Sequence, residues 1–288
     1  MKWKMKVFAV VLCLAFSAGS LTGCNAGAGG ADGTGQGAGE NTVTISGAGI
    51  EAVKVDLGEF QEEARTYIYS VINNWPSKKF YTAEGVDLQT VLESVNADGY
   101  ESITVRGADG YESSFTKEQL TEPRYYYPNL EMDSESKAEQ VPFLLSVRFA
   151  EDSVSEADMT EAKPTLLFGQ ANVFEHNSPA FVEDISEIIL SDKDPGCWEA
   201  PTVFPEAGAV APGETVKLQH PSAGLVKIFY TLDGSEPTEC SNLYNPSTYQ
   251  PELNVPITVT ENVTIKAFAV GYGKHPSEVA EFHFHVVN

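Results

Sequence analysis

The stretch Lys227-Ile-Phe-Tyr-Thr-Leu-Asp-Gly-Ser-Glu-Pro-Thr238 decides how the C-terminal third of the chain is read. Six residues rich in β-branched and aromatic side chains run directly into Asp233-Gly234. That dipeptide suits the positive φ angles of a tight hairpin turn. Working outward, Thr215 to Leu218, Leu225 to Leu232, Ile257 to Val259, Val263 to Val270 and Val279 to Val287 read as further strands. Their short, regular spacing predicts an all-β sandwich over residues 201–288.

The same stretch, with Leu243-Tyr244 and Ile257-Thr-Val-Thr-Glu-Asn-Val-Thr-Ile-Lys-Ala-Phe-Ala269, resembles the chitobiase or β-hexosaminidase C-terminal domain. The resemblance implies an immunoglobulin-like accessory module of secreted proteins, without the catalytic residues of the parent glycosidase. Fold alone carries no hydrolase activity over to this chain. Near the end, Phe282-His-Phe-His285 places His283 and His285 on one face of a strand. Two histidines at that spacing suit a metal. With no third ligand in view, the expectation is two outward polar residues flanking inward phenylalanines.

Upstream, Ser191 to Pro201 is rich in chain breakers, with Pro195-Gly196 and Pro201, and reads as a linker over 194–200. Residues 42–193 mix short alternating runs with helix-like segments, which predicts an α+β domain. Strands are expected at Val53–Leu57, Tyr67–Ile72, Ser102–Arg106, Ser114–Thr116, Val141–Phe149, Thr165–Gly169 and Ile185–Leu190. Helices are expected over Leu57–Ala64, from Val86 to Val95 with apolar positions 88, 91, 92 and 95 on one face, and from Lys117 to Leu120.

Tyr81-Thr-Ala-Glu-Gly-Val-Asp-Leu-Gln-Thr-Val-Leu92, Ile103-Thr-Val-Arg-Gly-Ala-Asp-Gly-Tyr111, Pro142-Phe-Leu-Leu-Ser146 and the Phe181–Leu190 ending resemble the molybdopterin-binding oxidoreductase domain of the sulfite oxidase type. That resemblance implies a cofactor held through a cysteine thiolate. There is no Cys between Val43 and Gly196, and the arginines available for a phosphate, Arg65, Arg106, Arg124 and Arg148, are widely spaced, with His176 the lone histidine. The expectation is a retained scaffold with no cofactor. A molybdopterin-dependent oxidoreductase or redox accessory protein is the alternative.

The chain begins with Lys2, Lys4 and Lys6, an apolar run from Val7 to Phe16, and Leu21-Thr-Gly-Cys24. A basic start, a short apolar core and a small-residue exit make a secretory signal peptide over 1–23. Leu-Thr-Gly-Cys resembles the bacterial lipobox, which implies lipidation of Cys24 and anchoring at the outer face of a membrane. The Gly-rich stretch that follows, within 24–41, lacks large apolar residues and reads as a tether. Two cysteines, Cys197 and Cys240, then remain in a compartment that tolerates disulfides; they form a bridge or stay as two thiols.

The net charge of −23 becomes −26 once the three lysines of residues 1–23 are removed. Such acidity repels nucleic acid and anionic headgroups. The partners expected are therefore the membrane through the anchor and an extracellular protein or ligand, a glycan among them. Arg124-Tyr-Tyr-Tyr127 is the candidate contact: an aromatic platform for a flat ligand or sugar, or a strand edge with one tyrosine buried. Glu131, Asp133 and Glu135 alternate as a Ca²⁺ site would, but read as a solvated acidic loop. No Ser-His-Asp set, paired-carboxylate motif or phosphate loop nominates a catalytic residue.

Overall fold

A computed structural model describes residues 41–75, 77–130, 137–247 and 251–287. In chain order the first half contains β1 (Thr42–Gly47), β2 (Ile50–Asp56), β3 (Arg65–Ile72), β4 (Lys78–Asp87), α1 (Leu88–Ser94), β5 (Ser102–Gly107), β6 (Glu112–Thr116), α2 (Lys117–Thr121), β7 (Tyr125–Tyr126), β8 (Glu139–Gln140), β9 (Leu144–Glu151), β10 (Thr160–Leu167) and β11 (Ile185–Ser191). These make a five-stranded sheet, β2-β1-β11-β5-β6, and a four-stranded sheet, β10-β9-β4-β3, with β7 and β8 paired at the side. Inward residues of both sheets, among them Val43, Ile45, Ile103, Val105, Leu145, Leu166 and Ile188, form one buried cluster. Burying each such side chain contributes about 1.5–3 kcal/mol relative to leaving it in water.

This corrects the α+β expectation: the N-terminal half is nearly all β, and no molybdopterin-type domain forms. The helical signals were real but short. Leu57–Phe60 is one 3₁₀ turn, capped by Asp56 through the Gly58 amide. Helix α1 buries Leu88, Val91 and Leu92 over seven residues. Asn96 then takes a left-handed φ of 55°, which ends it. Helix α2 stops before Pro123, whose ring disfavours helical geometry at Glu122; that residue is extended. The strand β4 and the parallel pairing of β1 with β11 were not anticipated.

The second half contains β12 (Thr202–Phe204), β13 (Gly208–Val210), β14 (Glu214–Gln219), β15 (Val226–Thr231), β16 (Asn242–Tyr244), β17 (Ile257–Val259), β18 (Val263–Gly271) and β19 (Ala280–Val286). They build a sandwich of two sheets, β12-β14-β17 and β13-β19-β18-β15-β16. Its core gathers Val216, Leu218, Val226, Ile228, Ile265, Ala267, Ala269 and Phe284 from alternate positions of both sheets. Lys227–Thr231 lie in β15, but Asp233-Gly234 closes no tight hairpin: β15 pairs β16 across residues 232–241, and of the two only Gly234 has positive φ, 78°.

Residues 194–200, expected as a linker, are docked on this sandwich. Trp198 is buried in its core, its amide donates to the His275 carbonyl, and its indole Nε1–H donates to the Gly271 carbonyl at 3.1 Å.

Candidate functional site

The candidate contact run divides. Arg124 is 3% exposed and Tyr127 4% exposed, while Tyr125 and Tyr126 are half-buried in β7. Tyr127 packs in a small core with Ile72, Leu130 and Val173. Tyr126 meets the edge of Phe80, ring centroids 6.0 Å apart. The three rings therefore do not present an open platform. The strand-edge reading describes them.

Arg124 points into the boundary between the two halves, which belong to one compact unit. Its Nη1 donates to both carboxylate oxygens of Glu175, at 2.9 and 2.8 Å. Its guanidinium lies over the rings of Phe143, Phe168 and Tyr272, 5.4, 5.4 and 5.8 Å from their centroids. Tyr272 reaches across from the end of the second sandwich, and its hydroxyl donates to Glu175 at 2.7 Å. Burial opposes the charge on Arg124, but the Glu175 carboxylate overcomes it and pushes the guanidinium pKa up. Burial, reinforced by Glu175, holds the Tyr272 phenol well above its ordinary range, so it stays a donor. Burial also raises Glu239 and Glu122; nearby carboxylates add to both shifts, and Arg124 opposes them.

Gln119 completes the contact. As the third residue of α2 it closes a capping box with Thr116. The same amide donates to the Gly271 carbonyl at 2.9 Å and accepts from the Gly273 amide at 3.0 Å. Gly273 has φ 84°, and a Cβ there would lie 2.8 Å from Cβ of Ser114. Burial lowers the His176 pKa to about 4, and the Lys227 ammonium of β15 adds to the effect. His176 is thus neutral at pH 7, with Nδ1–H donating to the Asn73 carbonyl at 2.9 Å. Burial lowers the Lys227 pKa to about 8. Glu175, Tyr272 and Gln119 were absent from the candidate residues. Only the Thr116-x-x-Gln119 box was legible.

Two clefts open at the surface. One, of about 310 Å³, lies beside β3 and is lined by Tyr67, Ile68, Glu139, Gln140, Val154 and Glu156 among others. The other, of about 510 Å³, lies at the Asp233 turn between Thr231 and Asn242. Cys240 lines it, and Cys240 and Cys197 are both exposed, free thiols, so the candidate bridge between them is not made here. His283 and His285 face outward around the buried Phe284, as the plainer reading expected; His283 lies 3.1 Å from the Thr264 hydroxyl. No group of three metal-ligating residues occurs among the described residues. Cys24, the signal peptide and the acidic positions 131, 133 and 135 lie outside the described residues.

Residues 205–281 match the family model of the chitobiase/β-hexosaminidase C-terminal domain. Nothing in the comparisons supports a molybdopterin domain in residues 42–193. No curated protein matches the chain. A solved structure titled "Biofilm associated protein - BSP domain" aligns at 9% identity and a TM-score of 0.21, covering 81% of this chain. The alignment spans 32% of that protein's length, and at this TM-score it carries no argument.

Proposed function

We propose that the protein is a lipid-anchored, exported surface protein that binds a partner outside the cell and catalyses no reaction. The observation that carries this reading is the accessory-type domain at 205–281 locked against a second β-sandwich through Tyr272, Arg124 and Glu175. Two domains joined in this way present a continuous surface. The basic start, apolar run and Leu-Thr-Gly-Cys24 supply export and the anchor, and a single acyl chain would not suffice, so the anchor carries two or more. The excess of 41 acidic over 18 basic side chains favours neutral or basic partners over nucleic acid. The oxidoreductase alternative falls with the scaffold it rested on.

The test is expression of the full chain in a lipoprotein-processing bacterium with an alkyne-labelled fatty acid. The expected result is label on the wild-type protein, membrane fractionation and digestion by protease added to intact cells. Cys24→Ala should lose the label and leave the membrane. Retention of both label and membrane association by Cys24→Ala would overturn the anchor, and protection from external protease would overturn surface display.

A further inference from the structure

Strand β3 is an edge strand with two differently treated halves. It pairs with β4 in continuous register from Arg65↔Gly85 to Ile72↔Lys78. In an antiparallel ladder alternate residues direct both N–H and C=O toward the partner, and the residues between direct them away. The Ile72 amide donates to the Asn177 side chain at 3.2 Å, and the Ser70 carbonyl accepts from the same side chain at 3.2 Å. The Ser70 hydroxyl also accepts from the Tyr127 amide at 2.9 Å. Even-numbered residues therefore face the free edge, and from Ser70 onward that edge is covered.

By the same parity Thr66 and Ile68 direct their N–H and C=O groups away from β4, and no backbone bond among the described residues meets them there. Both residues line the 310 Å³ cleft. Tyr67 and Ile68, on opposite faces, are half-buried at its walls, and Val154 is 57% exposed. A strand laid along this edge would find backbone partners at Thr66 and Ile68 and an apolar surface for side chains on either face.

The opposite edge of the same sheet is protected. Strand β10 carries Lys163 and Pro164 and has a register shift between Glu161 and Thr165. Charge, proline and bulges are the usual means by which edges avoid adding strands. The half-buried run Thr66-Tyr67-Ile68 has none of them, and the one charge on this half of β3 is Arg65 at the strand's start. Glu139 and Glu156 line the cleft, and no lysine or arginine does. A second copy of so acidic a chain would bring like charge to it.

We propose that the open half of β3 is a docking edge for an extended, basic peptide segment of a partner protein, which adds to the sheet as a further strand. The proposal deepens the surface-binding reading and rests on it for the partner's location outside the cell. The two fail separately, since docking is measured on purified protein and display on cells.

The experiment uses the full chain in detergent and a fluorescein-labelled hexapeptide of alternating Lys and Val, followed by anisotropy. Controls are the same peptide N-methylated at every second residue and a Glu-Val counterpart. Ile68→Pro removes an outward N–H and the Ile68 side chain but no β3–β4 ladder donor, and N-methylation of the peptide tests the backbone bond by itself. The expected result is saturable binding to the wild type, weakened at least about tenfold by Ile68→Pro or by N-methylation, with the Glu-Val peptide weaker still. Absence of saturable binding up to about 1 mM peptide would overturn the proposal. So would binding indifferent to N-methylation, which marks electrostatic adsorption, or equal binding of the Glu-Val peptide. If Ile68→Pro loses its circular dichroism signature, the N-methylated peptide on the wild type decides.

Discussion

The two sandwiches bury their interiors differently. The C-terminal one closes over apolar side chains, and among its described residues His220, Asn245 and Ser277 are the buried polar ones. Among its described residues the N-terminal one buries nine: Ser70, Thr82, Ser113, Thr116, Arg124, Ser146, Thr165, Gln170 and Asn177. Several of these form one network. Ser70 donates to Gln170 at 2.5 Å, Gln170 to the Glu175 carbonyl at 2.8 Å, and Asn177 to the Phe168 carbonyl at 2.9 Å. An apolar core tolerates substitutions of similar volume. A polar network fails when one member is removed, because its partners are left buried without a bond.

The sharpest contrast should come from Phe284→Ala, in a fully buried position of the apolar core. It should cost about 4 kcal/mol in urea unfolding, with Phe284→Leu recovering most of that. Arg124→Ala should cost about 3 kcal/mol, because Glu175 then keeps a charge with no counterion. No apolar replacement of Arg124 alone should rescue it, and rescue by Arg124→Met would erase the distinction between the two interiors. Asn177→Ala should cost about 2 kcal/mol by orphaning the Ile72 amide and the Ser70 and Phe168 carbonyls. Tyr272→Phe removes one charge-assisted bond and should cost about 1.5 kcal/mol, measured as reduced protease resistance near residue 197 as well as in urea.

A pH dependence should also arise at the boundary. The folded pKa of Lys227 is lowered to about 8 from 10.5. A lowered basic pKa means that the unfolded chain holds the proton more tightly. The stabilisation is complete above 10.5 and is lost as pH falls through 8. The melting temperature should therefore rise between pH 8 and 10. Tyr272, whose folded pKa is raised, loses stabilising weight only above 10. Lys227→Met should flatten this slope, and a slope unchanged in that variant would place its origin elsewhere.

Much of the apolar architecture was legible. Alternation over Val226–Thr231 and Val263–Gly271 marks strands because one face is dry, whereas the tight turn expected at Asp233-Gly234 gives way to a longer connection to β16. The helix expected from Val86 to Val95 forms as α1 over Leu88–Ser94, but the long β-sheets supply most of the core, so the α+β class does not follow from it. The site was legible in part. Arg124 stood out as an arginine beside three tyrosines, but its partner Glu175 lies 51 positions away and Tyr272 nearly three times as far. Nothing in local periodicity links residues so distant, and among so many carboxylates Glu175 carries no mark of its own. The open half of β3 was invisible for a related reason: which strand ends a sheet depends on strand order, which alternation does not encode.

The first and last strands of the N-terminal sandwich have a mechanical meaning. Strands β1 and β11 lie side by side and parallel, as do β13 and β19. A pull on the two ends of the N-terminal sandwich slides β1 and β11 past each other, so their hydrogen bonds carry the load together instead of opening one at a time. Tension delivered through the chain thus meets a shear clasp in the N-terminal half, which the docked Trp198 segment follows.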